Sequence, residues 1–533
     1  MRLSWTALWF AFASSVGVAM SCAQQFPVDS MTETETGGCT PGTEDCRCDS
    51  ENECEAGLVC AGSVCIADSA VTTNQPTTTS ETGTDETTEG PGTDTGTATS
   101  TDSDTTTEPS ECDPGEGVGA NPDCSDPDAP YCSSSGVCTD CSGIASCGDV
   151  DAGTPACDET SGLCVECTPS DAAACEGTSP ICDAATSACV PCTGHAQCES
   201  GACRLATGEC FPVTNVLWVN KLAANCPEAT GSLTKPFCEI QSAVNAVPEN
   251  TPTLLRVLPT APYQTQVQFI GTTVVAVFLD SGEQNNFTLM VADKSPIQLN
   301  AGAEVYLDGA TIRGDSDLPD PGVFCKSADL WLSRSVVRNA TGYGVEGEGC
   351  ELDISRSAVF SNDGGGVSVS NGALRLANAM LTNNGGGSSP AGALFVDTAT
   401  LDIVYSTLAF NVAFGSEAIE CNGNSQGTAV NSVLFGQGKA NSIDCPGLNV
   451  SNSAIDSSGG IEDGGDIKLY NPMNLNLNWF AGPAMGDLHL TASGANEFAT
   501  VGEVMDGLPR VDYDGDPRPE DGLDFAGADR PMR

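Results

Sequence analysis

Residues 352–359 read Leu352-Asp353-Ile354-Ser355-Arg356-Ser357-Ala358-Val359, and the pattern recurs along the chain. Two apolar residues alternate, two turn residues follow, and a small and an apolar residue alternate again. Upstream it is Val305, Leu307, Ala310, Ile312 and then Leu330, Leu332, Ser335, Val337. Downstream it is Leu374, Leu376, Ala379, Leu381; Leu401, Ile403, Ser406, Leu408; Gly427, Ala429, Ser432, Leu434; and Leu448, Val450, Ser453, Ile455. Successive copies start 25, 22, 22, 27, 26 and 21 residues apart. A period of two broken by a corner is a strand signature that no helix produces.

A second strand signal accompanies these copies, as in Gly322-Val323-Phe324-Cys325, Gly344-Val345-Glu346-Gly347, Gly366-Val367-Ser368-Val369, Ile419-Glu420-Cys421 and Ile443-Asp444-Cys445. Three short strands per turn of 20–27 residues predict a mainly β chain wound as a right-handed parallel β-helix, a solenoid. Gly309, Asn378, Asn431 and Asn452 share one corner column, where they tolerate left-handed backbone. Arg334, Arg356 and Tyr405 stand in that column in the other coils, so the ladder is expected to be incomplete.

The flanks agree with this reading. Val216-Leu217-Trp218-Val219-Asn220 reads as an entry strand, and Phe237, Ile240, Val244 and Val247 fall on one helical face, as a cap over the open end requires. With the exit Val511-Asp512-Tyr513-Asp514-Gly515-Asp516-Pro517-Arg518-Pro519 and Asp524-Phe525-Ala526-Gly527-Ala528-Asp529, residues 215–530 resemble the pectate-lyase-like family of β-helix repeat proteins. That resemblance implies a cap at one end, a closing motif at the other, and chemistry, where there is any, outside one parallel sheet. The His-bearing aspartate cluster of the polygalacturonase-type relatives finds no counterpart, because His489 lies beyond the last clear repeat. No Asp-Asp pair or Gln and Arg motif of the esterase relatives is found.

Alternation along the Gly-Val strands sends Phe324 and Lys326, Glu346 and Glu348, Ser368 and Ser370, Phe395 and Asp397, Glu420 and Asn422, and Asp444 outward. Phe324, Glu346, Glu348, Phe395, Glu420 and Asp444 are the candidate ligand-binding residues, with the two rings as stacking groups. Glu420 and Asp444 are expected to be neighbouring like charges with a raised pKa or a shared cation. A catalytic reading rests on Lys326 beside Glu346 and Glu348, as the base of a calcium-assisted polysaccharide lyase. Asp512, Asp514 and Asp516 alternate as in calcium loops, but Pro517 stands where Gly is needed. No cofactor is expected, calcium being the one candidate.

Cysteine parity describes the rest. Of 29 cysteines, six lie in 39–65, sixteen in 112–210 and six between 226 and 445, which leaves Cys22 over. Cys226–Cys238, Cys325–Cys350 and Cys421–Cys445 are the expected pairs in the C-terminal half, the last because its members are one coil apart and stack. Residues 112–210 form four units of four cysteines. Turn-forming residues between the last two of each unit predict a short hairpin whose ends come close enough to bridge. The Cys-x-x-Cys steps 138/141, 164/167 and 189/192 invite zinc, but in an exported chain oxidised cysteine is the default.

Residues 1–21 read as a signal peptide, with an apolar run too short for a membrane span. Ala19-Met20-Ser21-Cys22 resembles a bacterial lipoprotein cleavage site, with Ala19 where that family prefers Leu. Cys22 is therefore expected to carry lipid and anchor the chain at the outer membrane; a plain secreted protein is the alternative. The expected order is a tether over 22–38, a six-cysteine module over 39–65 and a Thr-rich linker over 66–111 that cannot bury enough surface to fold. A cysteine-rich stalk over 112–212, the β-helix over 213–500 and a closing segment over 501–533 complete it.

The 533 residues carry 72 acidic and 19 basic side chains, a formal charge of −53, which excludes nucleic acid as the partner. The expected function is surface display with non-catalytic binding of polysaccharide or neighbouring surfaces, and the alternative is a surface polysaccharide lyase or hydrolase.

Overall fold

The computed structural model describes residues 58–61, 64–67, 112–113, 123–171, 175–224, 226–280, 285–315, 317–438, 442–457 and 460–531. Cys22, the expected signal segment and most of the 39–111 region lie outside them. The chain divides at residue 104 into two units. In the first, Leu58–Ala61 pairs antiparallel with Val64–Ala67, and Cys60 stands opposite Cys65.

The second unit opens with four small disulfide-bonded modules. In each, the first cysteine joins the third and the second joins the fourth: Cys112–Cys132 with Cys124–Cys138, Cys141–Cys157 with Cys147–Cys164, Cys167–Cys182 with Cys175–Cys189, and Cys192–Cys203 with Cys198–Cys210. The expected hairpins form, with Cys157 opposite Cys164 and Cys182 opposite Cys189. Their facing cysteines, however, do not bridge each other. Each reaches back to the preceding loop, closing 11 to 20 residues where a hairpin bridge would close fewer. Larger loops remove more entropy from the unfolded chain. The backbone already holds the hairpin, through turns such as the one where Asp183 Oδ1 accepts the Ala185 N–H at 3.1 Å. Every cysteine of the three Cys-x-x-Cys steps is in a disulfide, so none is left as a thiolate for zinc.

From Val216 the chain winds into a right-handed coil of three parallel sheets with eleven, eight and nine strands. The strand pairing reproduces the sequence period. Val305, Leu330, Leu352, Leu374 and Leu401 lie side by side in the eleven-stranded sheet, as do Leu307, Leu332, Ile354, Leu376 and Ile403. All of them are buried in one continuous core. Helix Ile240–Val244 caps the open end with Ile240, Ala243 and Val244 buried. Cys226–Cys238, Cys325–Cys350 and Cys421–Cys445 are bonded, with Cα separations of 5.5, 6.3 and 4.7 Å.

The corner ladder is complete in conformation, contrary to the expectation from residue type. Arg334, Arg356 and Tyr405 take φ of 46°, 47° and 46°, beside Gly309, Asn378, Asn431 and Asn452 at 71°, 51°, 53° and 47°. Tertiary contacts hold these three. Arg334 pairs with buried Asp308, Arg356 Nε donates to Tyr513 O at 2.9 Å, and Tyr405 lies beneath the Arg518 guanidinium at 3.8 Å.

Inside the coil, two polar ladders replace apolar packing. The hydroxyls of Ser335, Ser357, Ser406, Ser432 and Ser453 each accept a backbone N–H from the coil before. Asn362, Asn384 and Asn411, all fully buried, form the other. Asn362 Nδ2 donates to Asn384 Oδ1 at 2.9 Å and Asn384 Nδ2 to Asn411 Oδ1 at 3.0 Å.

Two outer faces are covered. Residues 470–531 fold back over the nine-stranded sheet, burying Phe360, Phe410 and Phe435 against Trp479, Phe480 and Phe498. The last cysteine unit docks on the first coils of the eleven-stranded sheet. There Ala202 and Phe211 pack with Leu254, Ala276, Phe278 and Tyr306, and Arg204 grips Glu304 bidentately at 2.6 and 2.7 Å.

Candidate functional site

The Gly-Val strands build the eight-stranded sheet, and register puts Phe324, Glu346, Ser368, Phe395, Glu420 and Asp444 in one row. Lys326, Glu348, Ser370, Asp397 and Asn422 form the next row. At about 4.8 Å per coil, Phe324 and Phe395 stand three coils and about 14 Å apart, so they do not share one sugar ring. The face divides into two groups, each a phenylalanine followed by carboxylates. Lys326 Nζ lies 2.5 Å from Glu348 Oε2, paired as a cation. Glu346 is half-buried, and burial followed by the Glu348 charge raises its pKa. Glu420 Oε2 accepts both the N–H and the hydroxyl of Ser416, at 3.1 and 2.6 Å.

The aspartates near the C-terminus do not converge as a calcium loop. Asp512 is buried, and its Oδ1 accepts the N–H groups of Asp514, Gly515 and Asp516 while Oδ2 accepts that of Arg530. Asp514 turns toward His489 instead.

A better-formed concavity lies on the eleven-stranded sheet, just beyond the docked cysteine unit. Trp331, Asp353, Arg375 and Asp402 are consecutive cross-strand neighbours on its outer face. They line a cleft of about 270 Å³ with Glu351, Ala373 and Thr400. Each comes from the middle of a strand whose two flanking residues point into the core, so the coil holds it rigidly. Ala373 supplies the depth, because its small side chain sits in register between Glu351 and Thr400.

At one end the Trp331 ring stacks on Tyr306, with centroids 4.5 Å apart and an interplanar angle of 14°. Tyr306 in turn meets Phe211 of the last cysteine unit edge-on. In the middle, Arg375 bridges two carboxylates, Asp353 at 3.1 Å and Asp402 at 3.4 Å. Burial raises the Asp353 pKa, opposed by Arg375 and reinforced by the Asp402 charge. Burial likewise raises that of Asp329, one coil before Glu351. An aromatic ring beside guanidinium donors and carboxylate acceptors suits a polyhydroxylated chain lying across the strands.

None of these four residues is a sequence-predicted site residue. The signal lay between the apolar pairs that reveal the fold: Leu330-Trp331-Leu332, Leu352-Asp353-Ile354, Leu374-Arg375-Leu376 and Leu401-Asp402-Ile403. Reading the middle column across the repeats finds an aromatic ring and an acid–base–acid series on one face.

Five buried or half-buried carboxyl groups have raised pKa values, burial being the largest cause in each: Asp329, Glu346, Asp353, Asp456 and Asp529. The folded chain therefore binds these protons more tightly than the unfolded one, and stability falls as pH rises through the folded values. Glu497, whose pKa its hydrogen bond from Lys468 lowers, works oppositely, but its contribution is lost only as pH falls below the ordinary carboxylate range. Burial holds the His195 pKa below its ordinary value, so it opposes this trend as pH falls through the ordinary imidazole range. As pH falls toward the ordinary carboxylate range, the thermal midpoint of the wild type is therefore expected to rise relative to that of Asp353→Asn. Parallel curves for the two proteins would contradict the assignment.

A family model described as a family of unknown function (DUF8331) matches residues 97–216, the cysteine-rich units and the segment before them. No curated protein sequence matches the chain. The structure is similar to a pectin methylesterase mutant in complex with hexasaccharide IV, at 14% identity over 55% of this chain and 98% of that one, with a TM-score of 0.27. It is also similar to a pectin methylesterase in complex with hexasaccharide VII, at 12% identity over the same shares, with a TM-score of 0.23.

Proposed function

We propose that this chain is an exported, surface-held protein that binds a polysaccharide without cleaving it, in the cleft of the eleven-stranded sheet. One observation carries the reading: Trp331, Asp353, Arg375 and Asp402 form a single outward row on rigid strands. Export is supported by the eleven disulfides among the described residues. The 22 cysteines they use leave the parity argument for a lipidated Cys22 at the outer membrane undisturbed. The eight-stranded face, with Phe324, Glu346, Glu348, Phe395, Glu420 and Asp444, is a second contact surface for a longer chain. A base role for Lys326 is disfavoured by its ion pair with Glu348.

Titration of the full chain against neutral and acidic oligosaccharides tests this. Trp331→Ala is expected to cost about 2 kcal/mol, roughly thirtyfold in affinity, and Arg375→Ala a comparable amount, with Phe324→Ala having a smaller effect. Binding that survives Trp331→Ala and Arg375→Ala but is lost with Phe324→Ala and Phe395→Ala would move the site to the other face. A hydrolytic reading is favoured by one observation, a carboxyl group of raised pKa facing a second carboxylate across Arg375. New reducing ends appearing in the same titrations would establish it.

A further inference from the structure

The segment that covers the nine-stranded sheet brings together three groups that the polysaccharide reading does not use. His489 lies on strand Asp487–Leu490, Asp514 on the turn after Asp512, and Asp529 near the end of the described chain. One ligand atom from each lies within 4.8 Å of the other two. His489 Nε2 is 3.1 Å from Asp514 Oδ2, and its Nδ1 is 2.6 Å from Asp487 Oδ1. We infer that His489, Asp514 and Asp529 form a binding site for a divalent transition-metal ion of the zinc class, with Asp487 as the positioning carboxylate.

Four features support a site here over a chance cluster. The imidazole presents one nitrogen to the cluster while Asp487 holds the other, the carboxylate–histidine arrangement that fixes tautomer and ring orientation in metal centres. Asp529 is buried at 5% exposure, and its Oδ2 accepts the Leu490 N–H at 2.6 Å, which fixes the carboxylate. The Asp514 backbone is preset, because Asp512 closes the turn around it and Gly515 takes the left-handed φ of 98° that the turn needs. His489 and Asp514 have side-chain exposures of 34% and 50%, which leaves solvent to supply the remaining ligand.

Zinc bonds to nitrogen and carboxylate oxygen are about 2.0–2.2 Å long, so ligand atoms around one ion stand about 3.5 Å apart. The cluster, whose ligand atoms lie within 4.8 Å of one another, needs to contract by about 1.3 Å at most, and the exposed Asp514 side chain has room to supply that movement. One imidazole with two carboxylates suits zinc, manganese or iron better than calcium, which takes six to eight oxygens. The other histidine offers nothing comparable: His195 accepts the Cys203 N–H on Nδ1 and packs against Phe278. An ion here would tie three separate stretches of the segment that covers the nine-stranded sheet.

Equilibrium dialysis of the oxidised full chain against zinc chloride, with about 0.15 M salt to screen the acidic surface, tests the site. One zinc per chain is expected, not displaced by excess calcium, with the thermal midpoint raised by several degrees. Asp487→Asn is expected to weaken binding about 10- to 100-fold. His489→Ala and Asp514→Asn are expected to abolish both the stoichiometric binding and the zinc-dependent thermal shift. Asp514 is exposed enough for its variant to fold if His489→Ala does not. Absence of stoichiometric zinc, equal displacement by calcium, or binding unchanged in Asp514→Asn would overturn the assignment.

Discussion

Arg518→Met is expected to cost about 3–5 kcal/mol, the penalty for removing one partner of a buried ion pair. Arg518 and Asp524 have side-chain exposures of 1% and 0% and meet at 3.0 Å. The same guanidinium donates to Asn378 Oδ1 at 2.9 Å and to the carbonyls of Gly527 and Ala528 at 3.1 and 3.2 Å, and its carbon lies 3.8 Å above the Tyr405 ring. Without it, Asp524 keeps Arg530 at 3.7 Å, and the corner column loses the guanidinium that holds Asn378 and Tyr405. The double variant Arg518→Met with Asp524→Leu should recover part of the loss, because the apolar pair removes the desolvation penalty of the two charges while Asn378 Oδ1 and the carbonyls of Gly527 and Ala528 still lose their donor. Urea unfolding of the wild type and both variants checks this. A single variant within about 1 kcal/mol of wild type would mean that the pair is solvated.

Asn384→Ala is the second large expected loss, about 3 kcal/mol or more. Asn384 Oδ1 accepts from Asn362 N at 3.3 Å and Asn362 Nδ2 at 2.9 Å, while its Nδ2 donates to Val359 O at 2.8 Å and Asn411 Oδ1 at 3.0 Å. Alanine orphans two or more buried polar groups at about 1–3 kcal/mol each. The loss should propagate, because Asn362 and Asn411 depend on the same amide. Hydrogen exchange should show backbone protection falling in the coils on either side of the substitution. Exchange confined to residue 384 would show that the ladder is a series of independent bonds.

The coil was legible because its signal is written many times. Each rung repeats two buried aliphatic positions and a small residue after the corner, so errors at one copy are corrected by the next. Where a feature depends on tertiary contact rather than local preference, the reading stopped short. Arg334, Arg356 and Tyr405 look wrong for a left-handed corner, and only their partners Asp308, Tyr513 and Arg518 explain why they adopt it. The hairpins of the cysteine units were legible from turn residues, but the choice of disulfide partner depends on the fold of the preceding loop. The cleft was hidden differently. Its residues occupy the outward position of the strands that define the core, and attention to the apolar pairs passes over the residue between them.

The interlaced disulfides also set how the cysteine units respond to being pulled. Tension entering at Cys112 crosses to Cys132 through sulfur, and in the later units from Cys141 to Cys157, Cys167 to Cys182 and Cys192 to Cys203. The backbone bears load mainly along the hairpins and the short steps between units, while the intervening loops hang slack outside the force path. Such a spacer yields little length however hard it is drawn. Its far end meets the coil sideways, through Arg204–Glu304 and Phe211–Tyr306, so a tug is first taken as shear across the flank of the eleven-stranded sheet, beside the Trp331 cleft.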